Sequence, residues 1–144
     1  MLACCYINGL GKVLLKGGPP KKGRSRHPRS DFARFQEFLK RCMNDFLVES
    51  NVRCLPPLPD GSTSGDEWLY KVYRCGFVHG LPPKGVAWGW NRRSNKYWFE
   101  SKGRIGLNVD ELVRGFHRGL DKFRFEVNSD PDLQRHFERY LRER

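Results

Sequence analysis

Acidic side chains are scarce in this sequence, 16 against 27 basic ones, for a formal net charge of +11. None lies between Lys16 and Ser30, a segment that holds Lys16, Lys21, Lys22, Arg24, Arg26 and Arg29. Removing those six bases leaves 21 against 16 acids, or +5, over the rest of the chain. A body of modest charge therefore carries a concentrated basic loop. Such a loop either attracts polyanions through counterion release or serves as a solvated connection. Long apolar runs are missing too, which excludes a membrane-spanning helix. The apolar opening from Met1 to Leu15 is broken by Asn8, Gly9, Gly11 and Lys12. It has neither a basic n-region nor a small-residue cleavage site, which argues against a signal peptide. The five cysteines (Cys4, Cys5, Cys42, Cys54, Cys75) are odd in number and lack CxxC spacing, so reduced thiols in the cytoplasm are the simplest account. His27, His117 and His136 join no cysteine or acid cluster with ligand spacing, so no structural metal and no cofactor is expected. There is no internal repeat.

What is present is helical periodicity. A length of 144 residues suits one domain, residues 1–144, with a basic loop at 17–30. Ala3, Tyr6, Ile7, Leu10, Val13 and Leu14 predict an opening amphipathic helix. No capping residue precedes it, which hints that the true N-terminus lies upstream of Met1. Asp31 is a good N-cap for a second helix whose Phe32, Phe35, Phe38, Leu39, Cys42, Met43, Phe46 and Leu47 form a broad apolar stripe. A third helix is expected from about Asp66 to about His79, closed by Gly80 and Pro82-Pro83. Val86–Trp90 and Lys96–Glu100 flank Asn91–Asn95 and read as a β-hairpin near residues 86–100, within an insertion at 84–107. A short strand at Ile105–Leu107 follows. Asn108 caps a fourth helix bearing Val109, Leu112, Val113, Phe116, Leu120, Phe123 and Val127. Asp130, with Pro131 at the first helical position, starts a last helix carrying Leu133, Phe137, Tyr140 and Leu141. The expected fold is mainly α, an antiparallel bundle of four to five helices with a short β-hairpin insertion.

Chemistry concentrates at the end of the third helix, where Arg74 and His79 close an otherwise apolar stretch. A fixed cation suits a phosphate, and an imidazole titrates near neutrality. The segment Arg74-Cys75-Gly76-Phe77-Val78-His79, the opening Cys4–Lys12 and the helix start Leu107–Leu112 together resemble the HEPN domains (higher eukaryotes and prokaryotes nucleotide-binding). These are small helical proteins, many of them ribonucleases of toxin, CRISPR or phage-defence systems. Their motif is an Arg, four to six residues, then a His, and the chain fits its shortest form. Where active members often carry Asn after the Arg, this chain has Cys75, a weak hydrogen-bonding group.

The resemblance implies a metal-independent endoribonuclease acting on single-stranded RNA at a site shared by two protomers. Arg74 and His79 would be catalytic there, with Tyr73 and Cys75 supporting. His79 would act as base or acid while the 2′-OH attacks phosphorus, and Arg74 would hold the non-bridging oxygens. It further implies a homodimer through the third helix and an antitoxin or defence-system partner. The alternative is a catalytically inactive HEPN-like module that binds RNA or a partner. On a straight helix, five residues separate two side chains by about 140° and about 7.5 Å of rise. Convergence of Arg74 and His79 therefore needs an early helix end or a twofold mate. Cys75 with His79 is i,i+4 but lacks an orienting group and oxyanion hole. Candidate RNA-binding residues are Lys21, Lys22, Arg24, Arg26 and Arg29 in the basic loop, and Arg92, Arg93 and Lys96 in the hairpin turn. Trp88, Trp90, Tyr97 and Trp98 beside the latter either stack on bases or pack as core.

Overall fold

The computed structural model describes residues 2–15, 31–52, 64–71, 87–102 and 104–142. Six helices lie among them: α1 (Leu2–Leu14), α2 (Asp31–Cys42), α3 (Asn44–Val52), α4 (Gly65–Trp68), α5 (Val109–Ser129) and α6 (Pro131–Arg142). Three short strands, β1 (Ala87–Gly89), β2 (Trp98–Ser101) and β3 (Arg104–Asn108), form one sheet. The fold is mainly α with a β-hairpin, as the periodicities require. The basic loop 17–30 and the far end of the third helix lie outside the described residues.

Four helices close a ring: α1 packs on α2, α2 on α5, α5 on α6, and α6 back on α1. Its centre is aromatic. Phe38 is fully buried and faces Phe116 and Phe123 at ring-centre distances of 6.1 and 6.4 Å. Phe123 meets Phe137 edge-on at 5.7 Å, which fastens α6 to α5. Polar ties reinforce two seams of the ring. Arg41 pairs with Glu126 at 2.6 Å, and the Lys12 ammonium lies 5.5 Å from the centre of the Tyr140 ring. Gly11 sets the spacing of α1 and α2, because a Cβ there would fall 1.7 Å from the Arg34 carbonyl oxygen. Among the described residues no helix is long and apolar enough to cross a membrane.

The expected second helix is two helices. The chain leaves helical geometry at Met43, which is fully buried, and restarts at Asn44. Its apolar spacing continues across the break, so periodicity alone could not reveal it. The break is matched by a polar pair. Asp45 Oδ1 accepts the Phe46 N–H at 3.0 Å, and the re-aimed α3 turns Asp45, Glu49 and Ser50 toward the sheet.

The start of the third helix is found, as α4 from Gly65 running into a wider turn over 69–71. Asp130 is the cap that the sequence predicts: its Oδ1 accepts the N–H groups of Asp132 and Leu133 at 2.9 and 3.2 Å. Three positions of the expected apolar stripes face solvent instead of the core, Tyr6, Val113 and Leu141. On α5 the inward face is shifted toward Gly115 and Gly119, where the absence of a side chain lets Tyr97 and Met43 approach.

Within the sheet the pairing differs from the expected hairpin. β1 and β2 lie on opposite edges of β3, in the order β1-β3-β2. β3 pairs in parallel with β1 (Gly89 opposite Asn108) and antiparallel with β2 (Trp98 opposite Leu107). The tight hairpin is thus β2–β3. Ser101 is opposite Arg104, and Lys102 takes the positive φ of 51° that so short a connection demands. Phe99 explains why β3 sits in the middle. Its ring covers Gly106 on β3 and Gly89 on β1, and a Cβ at either glycine would collide with it.

Candidate nucleic-acid interface

Because β1 and β2 flank β3, the connection 90–97 must cross the end of β3, directly over Asn108. Asn108 is wholly buried there and is satisfied on every side. Its Oδ1 accepts the Asn91 N–H at 3.2 Å, and its Nδ2 donates to the carbonyls of Asn91 (3.2 Å) and Lys96 (3.0 Å). Its own N–H donates to the Tyr97 carbonyl at 2.7 Å. It begins α5, as the sequence suggests, but its side chain makes no helix cap. It joins the two stems of the loop instead.

The tip of the loop is ordered by local bonds. The Ser94 N–H donates to the Asn91 carbonyl at 3.1 Å, closing a β-turn, and the Arg93 N–H donates to Asn91 Oδ1 at 3.2 Å. The Lys96 N–H donates to Ser94 Oγ at 3.1 Å. From the other side Arg114 on α5 donates to the Arg92 carbonyl at 3.2 Å and to the Ser94 carbonyl at 2.6 Å. Arg114 is itself aimed by Glu111, whose Oε2 accepts from its Nε at 2.8 Å.

On this frame the side chains point outward. Trp90 is 73 % exposed, and Arg92, Arg93, Asn95 and Lys96 are exposed around it. The Arg92 side chain is 90 % exposed, and its one described acidic neighbour, Asp110, stands 4.0 Å away. Residues 90–96 thus present one indole and three cations with no acid of their own. Of the two alternatives for Tyr97 and Trp98, stacking or core, the structure shows core. Both are buried, and Phe46 packs on them at ring-centre distances of 5.2 and 5.9 Å. Of Trp88 only the backbone is described.

Behind the loop lies a polar corner that sequence reading missed. Glu49 accepts two consecutive backbone N–H groups, Tyr97 at 3.1 Å and Trp98 at 3.0 Å, and so fixes the start of β2. Trp98 Nε1 donates to the buried Ser50 hydroxyl at 2.9 Å, which in turn donates to the Phe46 carbonyl at 2.7 Å. Tyr97 donates its hydroxyl to Asp45 at 2.8 Å. Arg118 reaches Asp45, Tyr97 and the buried Glu111 at 2.9, 3.0 and 2.8 Å. Burial, and then the bond to Asp45, push the Tyr97 phenol well above the ordinary tyrosine range. Partial burial opposes the Asp45 charge, but bonds from Tyr97, Arg118 and the Phe46 N–H outweigh it and hold the carboxyl below its usual value. The signal that could have exposed this corner is Glu111. It is an acid on the same helical turn as Leu112, with Arg114 and Arg118 three and seven residues on.

Arg74 and His79, with Tyr73 and Cys75, lie outside the described residues, as do Lys21, Lys22, Arg24, Arg26 and Arg29. Among the described residues no group of three or more His, Cys, Asp or Glu side chains could hold a metal ion. Cys42 is buried in the core and its thiol is pushed up to about 12, first by burial and then by Glu126, so it is no nucleophile near neutrality. No family model, curated protein or solved structure matches the chain.

Proposed function

We propose that the domain binds single-stranded RNA on the outer face of residues 90–96. The observation that carries this reading is Trp90, exposed on an ordered loop whose other outward side chains include Arg92, Arg93 and Lys96. An indole offers a stacking face to any unpaired base, and the three cations answer the phosphates beside it. Duplex RNA hides its base faces, so the indole favours single strands. The excess of positive charge over the whole chain steers a polyanion toward it. Fluorescence anisotropy with a short labelled oligouridylate at low salt tests this. Binding should weaken by about tenfold or more in Trp90→Ala. The Arg92→Ala/Arg93→Ala double variant should flatten the dependence of log Kd on log salt by about 1.4, at about 0.7 per phosphate contact. Unchanged affinity in both variants would remove the loop from the account.

Scission is a second reading, favoured by the Arg74–His79 spacing and the HEPN resemblance. The 2′-oxygen would attack phosphorus as His79 accepts its proton, the P–O5′ bond would break with the departing 5′-oxygen taking a proton from water, and a 2′,3′-cyclic phosphate would remain, while Arg74 offsets the charge on the non-bridging oxygens. Its test is cleavage of the same RNA in EDTA, lost in His79→Ala. Intact RNA with the wild-type chain ends the nuclease reading and leaves a binding module. A homodimer through the third helix and an antitoxin or defence partner belong to this second reading and stand or fall with it.

A further inference from the structure

Resting on the RNA-binding reading, we infer that Arg114 is a positioning residue, which holds the 90–96 loop in its binding shape before RNA arrives and touches no phosphate itself. Arg114 already spends three of its five N–H donors within the protein. A guanidinium has five N–H donors in a rigid fork. Here the Nε is committed to Glu111, one terminal nitrogen to the Arg92 carbonyl and the other to the Ser94 carbonyl. Those carbonyls lie on either side of Arg93, so one planar group spans the tip of the turn that carries two of the three cations. Glu111 is almost fully buried and is held from the other side by Arg118, so the fork is anchored in the helical body. A loop ordered in advance loses less freedom when a ligand immobilises it. Lysine cannot reproduce this arrangement, since its point charge lacks the planar fork.

The test compares Arg114→Lys, which keeps the charge, with Arg114→Met, which removes it. Labelled oligouridylate serves as probe, and amide hydrogen exchange of the free protein runs alongside. Both variants should lose affinity by about tenfold with the salt dependence unchanged, because no phosphate contact is removed. In both, the amides of Arg93, Ser94 and Lys96 should exchange faster while those of α5 stay protected, which also reports that the body is folded. Affinity kept by Arg114→Lys, with Arg114→Met losing it and the salt slope falling by about 0.7, would make Arg114 a direct phosphate contact and overturn the inference. Faster loop exchange with unaltered affinity would overturn it as well, as would exchange unaltered in both variants. A wild-type chain that fails to bind RNA at low salt refutes the RNA reading and the positioning role together, while exchange still shows whether the fork orders the loop.

Discussion

The helical ring and the sheet corner are stabilised by different means. In the ring, Phe35, Phe38, Leu39, Phe116 and Phe123 bury apolar surface along regular stripes, and polar groups act only at the seams. In the corner, Asp45, Glu49, Ser50, Asn108, Glu111, Arg114 and Arg118 spend their hydrogen bonds on the backbone and side chains of residues 91–98, on the Phe46 backbone and on one another. The first kind of stabilisation depends on area, is non-directional and tolerates substitutions that conserve volume. The second is directional and fails bond by bond. Function is proposed where the second kind operates, because an exposed loop of cations has no apolar surface with which to order itself.

The two mechanisms predict effects of different size. Phe38→Ala, in the ring, should lower unfolding free energy by about 3–5 kcal/mol, read from the urea midpoint, with no selective change in exchange at 91–97. A loss under 1.5 kcal/mol would mean that the ring is looser than its burial implies. Glu49→Gln, in the corner, leaves one acceptor oxygen for two N–H groups. It should cost about 1–3 kcal/mol, with the Tyr97 and Trp98 amides losing protection before any in α5. Equal loss of protection everywhere would merge the two regions into one cooperative unit.

A smaller effect comes from Lys102. Its φ of 51° strains an L residue, and Lys102→Gly should raise stability by about 0.5–1 kcal/mol without altering RNA binding. A destabilised variant would argue against the β2–β3 hairpin geometry. A last effect is set by pH. The fold raises the Tyr97 pKa, so its contribution is complete below the ordinary tyrosine value of about 10 and is lost as pH rises beyond it. The fall in urea midpoint between about pH 9 and about pH 11 should be smaller in Tyr97→Phe than in the wild type. An equal fall would mean that the phenol titrates without linkage to folding.

The ring was legible in the sequence because helical periodicity reports burial directly. The stripe Phe35, Phe38, Leu39 and Cys42 is inward as its spacing requires, and the Asp130–Pro131 start of α6 follows from cap chemistry. The break at Met43 was not legible. Its cause is a set of bonds from α3 to residues some fifty positions away, such as Asp45 to Tyr97, which no local window contains. The strand pairing was hidden for a related reason. Asn91–Asn95 carries strong turn signals and is a turn, yet the strands on either side of it pair with a third segment through the Gly106–Phe99 contact. Asn108 was placed correctly at the start of α5, and its bonds to the loop depend on that pairing. Of the candidate site, Arg92, Arg93 and Lys96 are exposed as their composition suggests. Tyr97 and Trp98 are not, since each has a polar acceptor within the fold and an aromatic neighbour in Phe46.

The most direct test of where RNA lies is ultraviolet cross-linking of the wild-type chain to oligouridylate, with the cross-linked peptides assigned by mass spectrometry. Adducts on Trp90 and its immediate neighbours up to Lys96, lost on adding unlabelled single strands but not duplex, are the predicted result. Adducts confined to other segments, or equal competition by duplex, would contradict the account.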